Sequence, residues 1–290
     1  MKRISISRAW DRTREQLARD GRLYFAVSGA FVALPTAGRW TLAPPDPTTP
    51  PGSLESLFGL LLLFLAMIAL VTTSVLASGR AQRVGEAIGR GARRMPAALL
   101  AGMLWGLPTL MLLGALFRWT LGPENFTLIT QSAEPVTMDM IDIESANPGG
   151  VFLLWALFFV VAFVGTRLSL VTPAAAVEDT GIVGLLRASW RASKGAFWRI
   201  FATLILLSLT VAIVDLVASV IVGLAVSLMG GVAPLSIGAL LTGLVQGAVL
   251  AVFMTLVAMM LTHIYLQGIA TPPVRAEPSV PPVGGDETPV

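Results

Sequence analysis

Asp215 is the residue of this sequence with the clearest potential for chemistry, because it is the one acidic residue deep inside a long apolar stretch. A charged side chain inside a bilayer costs at least about 2.5 kcal/mol and is a functional candidate by default. At about 1.5 Å of rise per helical residue, Asp215 falls near the depth of Gln246 on the following helix, whereas His263 falls in a polar cap at the membrane surface. We therefore expect Asp215 and Gln246 to form a polar lock between two helices, with a proton or cation relay as the alternative.

Cations in amphipathic segments indicate a second kind of chemistry, the binding of lipid phosphates. In 181–198, apolar residues recur at near-helical spacing, and the cations lie mostly between them. Such a helix can lie in the headgroup region of a bilayer. Each cation there contributes roughly 1 kcal/mol of attraction to an anionic surface. The candidates for this role are Arg90, Arg94, Arg187, Arg191 and Lys194.

The composition excludes several classes of site. The chain has no cysteine and one histidine, which removes thiolate zinc sites, cysteine nucleophiles and histidine-rich metal sites. Glycine-rich fragments such as GRGARR lack the Lys-Ser/Thr ending of a P-loop. No Ser, His and Asp set and no cluster of metal-ligating carboxylates falls on a single helical face. We therefore expect no catalytic residues, no metal and no cofactor, and the basic residues beside apolar spans do not indicate nucleic-acid binding.

The elements that must position these residues are membrane-spanning helices with a defined orientation. The chain is 55% hydrophobic and 13% charged, against about 25% charged in soluble domains. Of its 20 Lys and Arg residues, all but Arg39 and Arg118 fall in alternate gaps between six apolar stretches. Because cytoplasmic loops retain positive charge, we expect a multi-pass protein of the bacterial inner membrane with both termini in the cytoplasm.

The predicted fold is an all-α integral membrane protein with six transmembrane helices. A helix needs about 20 apolar residues to cross a bilayer, and only closed helices satisfy the backbone there. We expect a cytoplasmic amphipathic helix at 1–21, a six-helix membrane domain at 22–271 and a disordered cytoplasmic tail at 272–290. An acidic outside loop occupies 120–149. The predicted spans are at about 22–42, 56–77, 97–119, 150–172, 199–229 and 235–266.

An arginine pair at i, i+4 precedes every second span, which suggests an internal repeat. The chain would then consist of three hairpins, each preceded by a basic amphipathic interfacial helix. The alternative is that any protein with positive cytoplasmic loops accumulates arginine at these places. The pairs are Arg8 and Arg12, Arg90 and Arg94, and Arg187 and Arg191.

Small residues recur every four positions in the last two spans, a pattern that lets helix backbones approach closely. Because only about five residues join these spans, we expect the two small faces to pack against each other within one chain. A homodimer interface is the alternative. The residues are Ser219, Gly223, Ser227 and Gly231 in span five, and Ala239, Gly243, Gly247 and Ala251 in span six.

The stretch RLSLVTPAAAVEDTGIVGLLRASWRASKGAFWRIF, from Arg167 to Phe201, carries a recognisable pattern. It resembles the membrane domain found beside glycerophosphoryl diester phosphodiesterases, and it is similar to uncharacterised bacterial inner-membrane proteins of the YciC type. The catalysis of that family belongs to a separate soluble barrel domain, so the resemblance implies no catalytic role here. The matching positions are Arg167, Pro173, Glu178, Ser189, Trp190, Lys194 and Gly195.

Within this stretch, Pro173 is expected to end span four. Arg167 lies near the inner end of that span, where its side chain can extend to the membrane surface.

Together these features predict a non-catalytic protein, a membrane scaffold or lipid-interacting subunit that binds anionic headgroups and acts with a protein partner. The alternative is a small transporter or permease for a lipid or solute, with Asp215 and Gln246 lining its path. An embedded enzyme comes third, because no nucleophile or acid/base pair is visible.

Overall fold

The structure, a computed structural model, describes residues 4–42, 53–131, 147–228 and 231–269 and shows only helices and their connections there. Long apolar runs form helices because a backbone away from water must satisfy its N–H and C=O groups internally. The predicted tail 272–290 lies outside the described residues. The helices are α1 (Ile6–Ser28), a π-helical turn (Gly29–Ala33), α2 (Leu34–Leu42), α3 (Ser53–Ala77), α4 (Val84–Gln131), α5 (Pro148–Leu168), α6 (Val171–Val177), α7 (Ile182–Ser193), α8 (Phe197–Leu228) and α9 (Ile237–Ile269).

Five helical segments in the described ranges are long and apolar enough to cross a bilayer, as a membrane-embedded protein requires. Their positions match predicted spans two to six, although several of the helices are longer than the spans predicted from the apolar residues. The segments are Ser56–Ala77, Val84–Ile129, Pro148–Val177, Phe197–Leu228 and Ile237–Ile269.

The first predicted span, 22–42, is not among these five segments. It belongs to a helical rod that runs from α1 through the π-turn to α2, without a break near residue 21. The rod begins beside the end of α9, where the main-chain N–H of Ser5 donates to Gln267 Oε1 at 2.9 Å. It ends beside the start of α9, where the N–H of Leu235 donates to the Thr41 carbonyl at 2.7 Å. The rod therefore lies along the whole of α9, and a sixth crossing remains a prediction.

The expected arrangement of three separate interfacial helices is not what the chain forms. Ser5 caps α1 by accepting a hydrogen bond from the Arg8 N–H, but α1 then continues directly into the rod. Arg90 and Arg94 lie in the first turns of α4, which runs on as one helix. Only α7 is a separate amphipathic helix. Extending an existing helix costs less than starting a new one, so the basic and apolar segments share one helix. In α4 the helix continues even through Pro96, which lies between the two segments.

The outer end of α4 enters the predicted acidic loop. Gly122 has a φ of 80°, a left-handed conformation that glycine adopts without strain, and the helix bends there before continuing to Gln131. The chain returns at Asn147, whose side chain accepts from the Gly149 N–H and whose own N–H donates to the Thr120 carbonyl at 2.8 Å. Residues 132–146 lie outside the described ranges.

Pro173 does not mark the end of α5. The helix ends at Leu168, and Pro173 is the third residue of α6. A proline has no N–H to donate to the carbonyl four residues earlier and its ring collides with that carbonyl, so the helix must break upstream, near Ser169. In the first turn of α6 the missing N–H costs nothing, because first-turn N–H groups have no partner within a helix.

Most of the buried core lies at one end of the molecule, the end that carries the basic segments. It combines parts of α1, α3, α4, α6, α7 and α9 with the start of α8, and Tyr265, Leu170, Leu185 and Ile200 are each fully buried. We call this region the inner layer. The opposite halves of α4, α5 and α8 expose large apolar side chains, as expected for surfaces that face lipid.

The small faces of α8 and α9 do not meet, which corrects the sequence prediction. A Cβ atom on Gly243 would lie 2.8 Å from Ala37 Cα, and one on Gly247 would lie 2.5 Å from the Ala33 carbonyl oxygen. The small face of α9 therefore packs against the rod formed by α1, the π-helical turn and α2. Gly223 of α8 has no atom within 4 Å of its Cβ position. Sequence periodicity identifies a small face but not the helix that it contacts.

Candidate functional site

A hydrogen bond between α5 and α7 positions the centre of the family-like stretch. Ser189 is fully buried on α7, and its hydroxyl donates to the main-chain carbonyl of Arg167 at 2.6 Å. The neighbouring buried positions Ala188 and Ala192 are small, so α7 can lie close to the helices around it. The contact holds the surface helix against the last turn of α5.

The Arg167 side chain packs against two aromatic rings that also contact each other. Its Cζ atom lies 5.1 Å from the ring centre of Phe163 and 5.0 Å from that of Trp190. A guanidinium group is attracted to the electron-rich face of such rings and stacks on them. Arg167 Nε is buried and has no hydrogen-bond partner, although the side chain as a whole is only partly buried. Packing therefore fixes the position of this cation.

An aromatic cluster extends from Arg167 to the start of α8. The ring centre of Phe197 lies 4.9 Å from that of Phe163, and it stacks on Phe201 at 5.7 Å. Trp198, 5.1 Å from Phe197, is 75% exposed. Amphipathic aromatic side chains at a helix end are typical of the boundary between lipid and water. We define the aromatic cluster as Phe163, Trp190, Phe197, Trp198 and Phe201.

Two adjacent carboxylates after α6 join three helices. Glu178 accepts a hydrogen bond from the hydroxyl of the fully buried Tyr265 on α9. Asp179 pairs with Arg94 of α4 and, at 3.5 Å, with Arg90. The charge of Arg94 lowers the pKa of Asp179, and Arg90 adds a smaller effect. Arg90 and Arg94, expected to hold lipid phosphates, thus already face a carboxylate of this chain.

The three cations predicted on the surface helix are exposed. Arg187, Arg191 and Lys194 lie opposite the buried face of α7, and none forms an ion pair with a described residue. Gly195 has a φ of 80°, so it provides the tight turn from α7 into α8 without strain. The positions that carry the resemblance therefore lie in one connection, from α5 through α7 to α8. Arg167 and Ser189 join α5 to α7, and Gly195 turns the chain from α7 into α8.

The predicted bond between Asp215 and Gln246 is not formed, although both line the same space. Gln246 Nε2 instead donates to the Ser219 hydroxyl, one turn after Asp215, at 2.9 Å. Asp215 lines a cavity of about 470 Å³ between α2, α8 and α9, which Trp40 and Gln246 share with a second cavity of about 390 Å³. We call these two adjacent spaces the intramembrane crevice. It contains a carboxylate without a hydrogen-bond or ion-pair partner among the described residues.

His263 is buried rather than part of a surface cap. It is 5% exposed, and its Nε2 lies 3.1 Å from Gln16 Oε1 of α1. The expected separation from Asp215 holds, because His263 contacts α1 and does not line the crevice. This contact helps to hold the first rod against α9.

Sequence inspection missed Phe163, Tyr265, Asp179 and Ser219 as partners of the candidate residues. Phe163 is four residues before Arg167 on the same helix, so helical spacing was a usable signal for it. Ser219, Tyr265 and Asp179 form contacts to other helices, for which spacing within one helix gives no signal.

Comparisons with protein-family models, curated proteins and solved structures found no match to this chain. The resemblance of 167–201 to the phosphodiesterase-associated membrane domain therefore stays a hypothesis. Within the described residues, no group of three His, Cys, Asp or Glu side chains could hold a metal ion.

Proposed function

We propose that this protein is a non-catalytic membrane scaffold or lipid-interacting subunit, which binds anionic headgroups through α7 and acts with a protein partner. The proposal rests on one observation, that α7 has one buried face and one exposed basic face. Its buried face is fastened to the bundle through Ser189, while Arg187, Arg191 and Lys194 remain exposed. Because the helix that presents these cations is already packed in place, only their side chains lose freedom on binding an anionic surface.

The intramembrane crevice favours a second candidate, a small transporter or permease for a lipid or solute. Asp215, Gln246 and Ser219 supply polar atoms between otherwise apolar walls. A carboxylate in such a place attracts a cation or a proton. This candidate comes second because no titratable partner of Asp215 lines the crevice among the described residues.

Gentle purification from native membranes, followed by native mass spectrometry, tests the proposal. We expect co-purification of a stoichiometric protein and enrichment of anionic over zwitterionic lipid. The triple variant R187Q/R191Q/K194Q should lose the part of that enrichment that weakly bound lipids contribute. The variant R14Q/R83Q/R93Q removes the same charge from exposed positions on α1 and near the start of α4, and should retain most of it.

A flux assay in liposomes separates the two candidates. The scaffold proposal expects D215N to be as stable and as well associated with its partner as the wild-type protein. Wild-type flux that D215N abolishes would support the transporter instead. Absence of both a partner and lipid enrichment would overturn the scaffold proposal.

A further inference from the structure

We propose that Arg167 and the aromatic cluster form a specific site for one anionic phospholipid, whose phosphodiester group binds the guanidinium. The inference rests on the proposed lipid-interacting function and adds a defined residue and ligand class to it. The site is distinct from the exposed cations of α7, because Arg167 lies on α5 and is fixed by packing.

The charge of Arg167 is not compensated by any described residue. Among the described residues, no carboxylate forms an ion pair with it and no group accepts a hydrogen bond from its guanidinium, although its Nε is buried. The aromatic faces offset only part of the cost of moving a cation out of water. An anion from outside the chain is therefore the missing partner, and the surroundings indicate which anion.

The neighbouring groups favour a lipid over a free anion. Trp198 is 75% exposed at the start of α8, and Phe201 and Phe197 provide an apolar surface beside it. Acyl chains can pack on that surface while the phosphate meets the guanidinium. Because a planar guanidinium presents a fork of N–H donors, it binds a phosphodiester with two oxygens at once.

The hydrogen bond from the Ser189 hydroxyl to the Arg167 main-chain carbonyl makes the site rigid. It fixes the last turn of α5 to α7, so the ring of Trp190 and the backbone of Arg167 move together. A site that is already ordered loses little freedom when a lipid binds, which favours one tightly bound lipid over several exchanging ones.

Native mass spectrometry of the detergent-purified protein tests the proposal with short-chain phosphatidylglycerol as the probe and phosphatidylcholine of equal chain length as the reference. Both lipids carry a phosphodiester, but the ammonium group of phosphatidylcholine cancels its charge and repels the guanidinium. We therefore expect the wild-type protein to bind its first phosphatidylglycerol about tenfold more tightly than phosphatidylcholine. R167Q should lose this preference, and R167K should keep only part of it. R14Q, which removes an exposed cation of α1, should behave as the wild type does.

The α7 triple variant separates this proposal from the broader one. If Arg167 forms the site, R187Q/R191Q/K194Q keeps the first lipid and loses weaker, later ones. A wild-type preference in both R167Q and R167K would overturn the Arg167 site while leaving the lipid-interacting function intact. If R167Q does not fold, R167K and W190L decide. R167K keeps a positive charge without the guanidinium group, and W190L keeps Arg167 but removes one of the rings that position it. Competition by inorganic phosphate at the concentration of the lipid would also overturn the lipid assignment.

Discussion

Single polar contacts in the inner layer join helices that lie far apart in the sequence. Tyr265 on α9 donates to Glu178 after α6, and Ser189 on α7 donates to the backbone of α5. Each buried donor or acceptor in such a contact becomes costly when its partner is removed, because water cannot replace the partner. These residues are therefore where point substitutions are expected to have the clearest effects.

Tyr265→Phe should destabilise the protein by about 1–3 kcal/mol, because the Glu178 carboxylate loses its donor. Tyr24→Phe is a matched control: Tyr24 is equally buried at 2% exposure, and its hydroxyl has no hydrogen-bond partner among the described residues. Thermal unfolding in detergent measures both variants. Equal losses of stability would show that the Glu178 contact contributes nothing.

Acid should weaken the link between α4 and the turn after α6. Arg94 holds the pKa of Asp179 below its ordinary value of 3.8, so the pair stabilises the fold above that pH and the contribution disappears as pH falls through the lowered pKa. The effect should be small, because Asp179 is exposed and water screens the charges.

Melting temperatures of the wild-type protein and Asp179→Asn measured between pH 7 and pH 2 test this link. The wild-type protein should melt slightly higher at neutral pH, and the two curves should converge in acid. Asp11→Asn, at an exposed position of α1, should follow the wild type throughout. A difference that persists at the lowest pH would contradict the assignment.

The helices themselves were largely predictable, whereas their contacts were not. Apolar runs of more than 20 residues leave no alternative to helix in a bilayer, so predicted spans two to six were found near their expected positions. The break before Pro173 occurred four residues early, for a steric reason that the sequence already contained. The partner of the small face of α9 was predicted wrongly, since four-residue periodicity does not encode a neighbour.

Gly247→Ala should destabilise the packing of α9 on the first rod by about 1–3 kcal/mol, because the new methyl group would overlap the Ala33 carbonyl oxygen. Gly223→Ala on α8 is the control, and should be neutral or slightly stabilising because nothing lies near its Cβ position. Thermal unfolding distinguishes the two outcomes. If Gly223→Ala destabilised the protein more than Gly247→Ala, the result would support the original prediction that the small faces of α8 and α9 pack against each other.

At the scale of the whole molecule, the rod formed by α1 and α2 decides the topology. Because it lies along all of α9, we expect it to cross the membrane together with α9 despite its weaker apolar character. The chain has no cysteine, so single cysteines can be introduced without background labelling. Arg14→Cys and Lys194→Cys should react with an impermeant maleimide only after the cytoplasmic side is opened, and Val232→Cys should react in intact cells. Labelling of Arg14→Cys from outside would show that the rod does not cross the membrane and that the protein has five crossings.

The pairing of the first rod with α9 has a consequence for how the protein is made. Ser5 meets Gln267 and Gln16 meets His263, so α1 leaves the ribosome long before α9, the helix against which it packs. Until α9 has been inserted, the face of α1 that carries Tyr24 and Val27 lacks much of its final cover. The inner layer therefore closes only after α9 has been made. In the interval that face of α1 is an incompletely covered surface, the kind of surface that makes unfinished chains prone to misassembly.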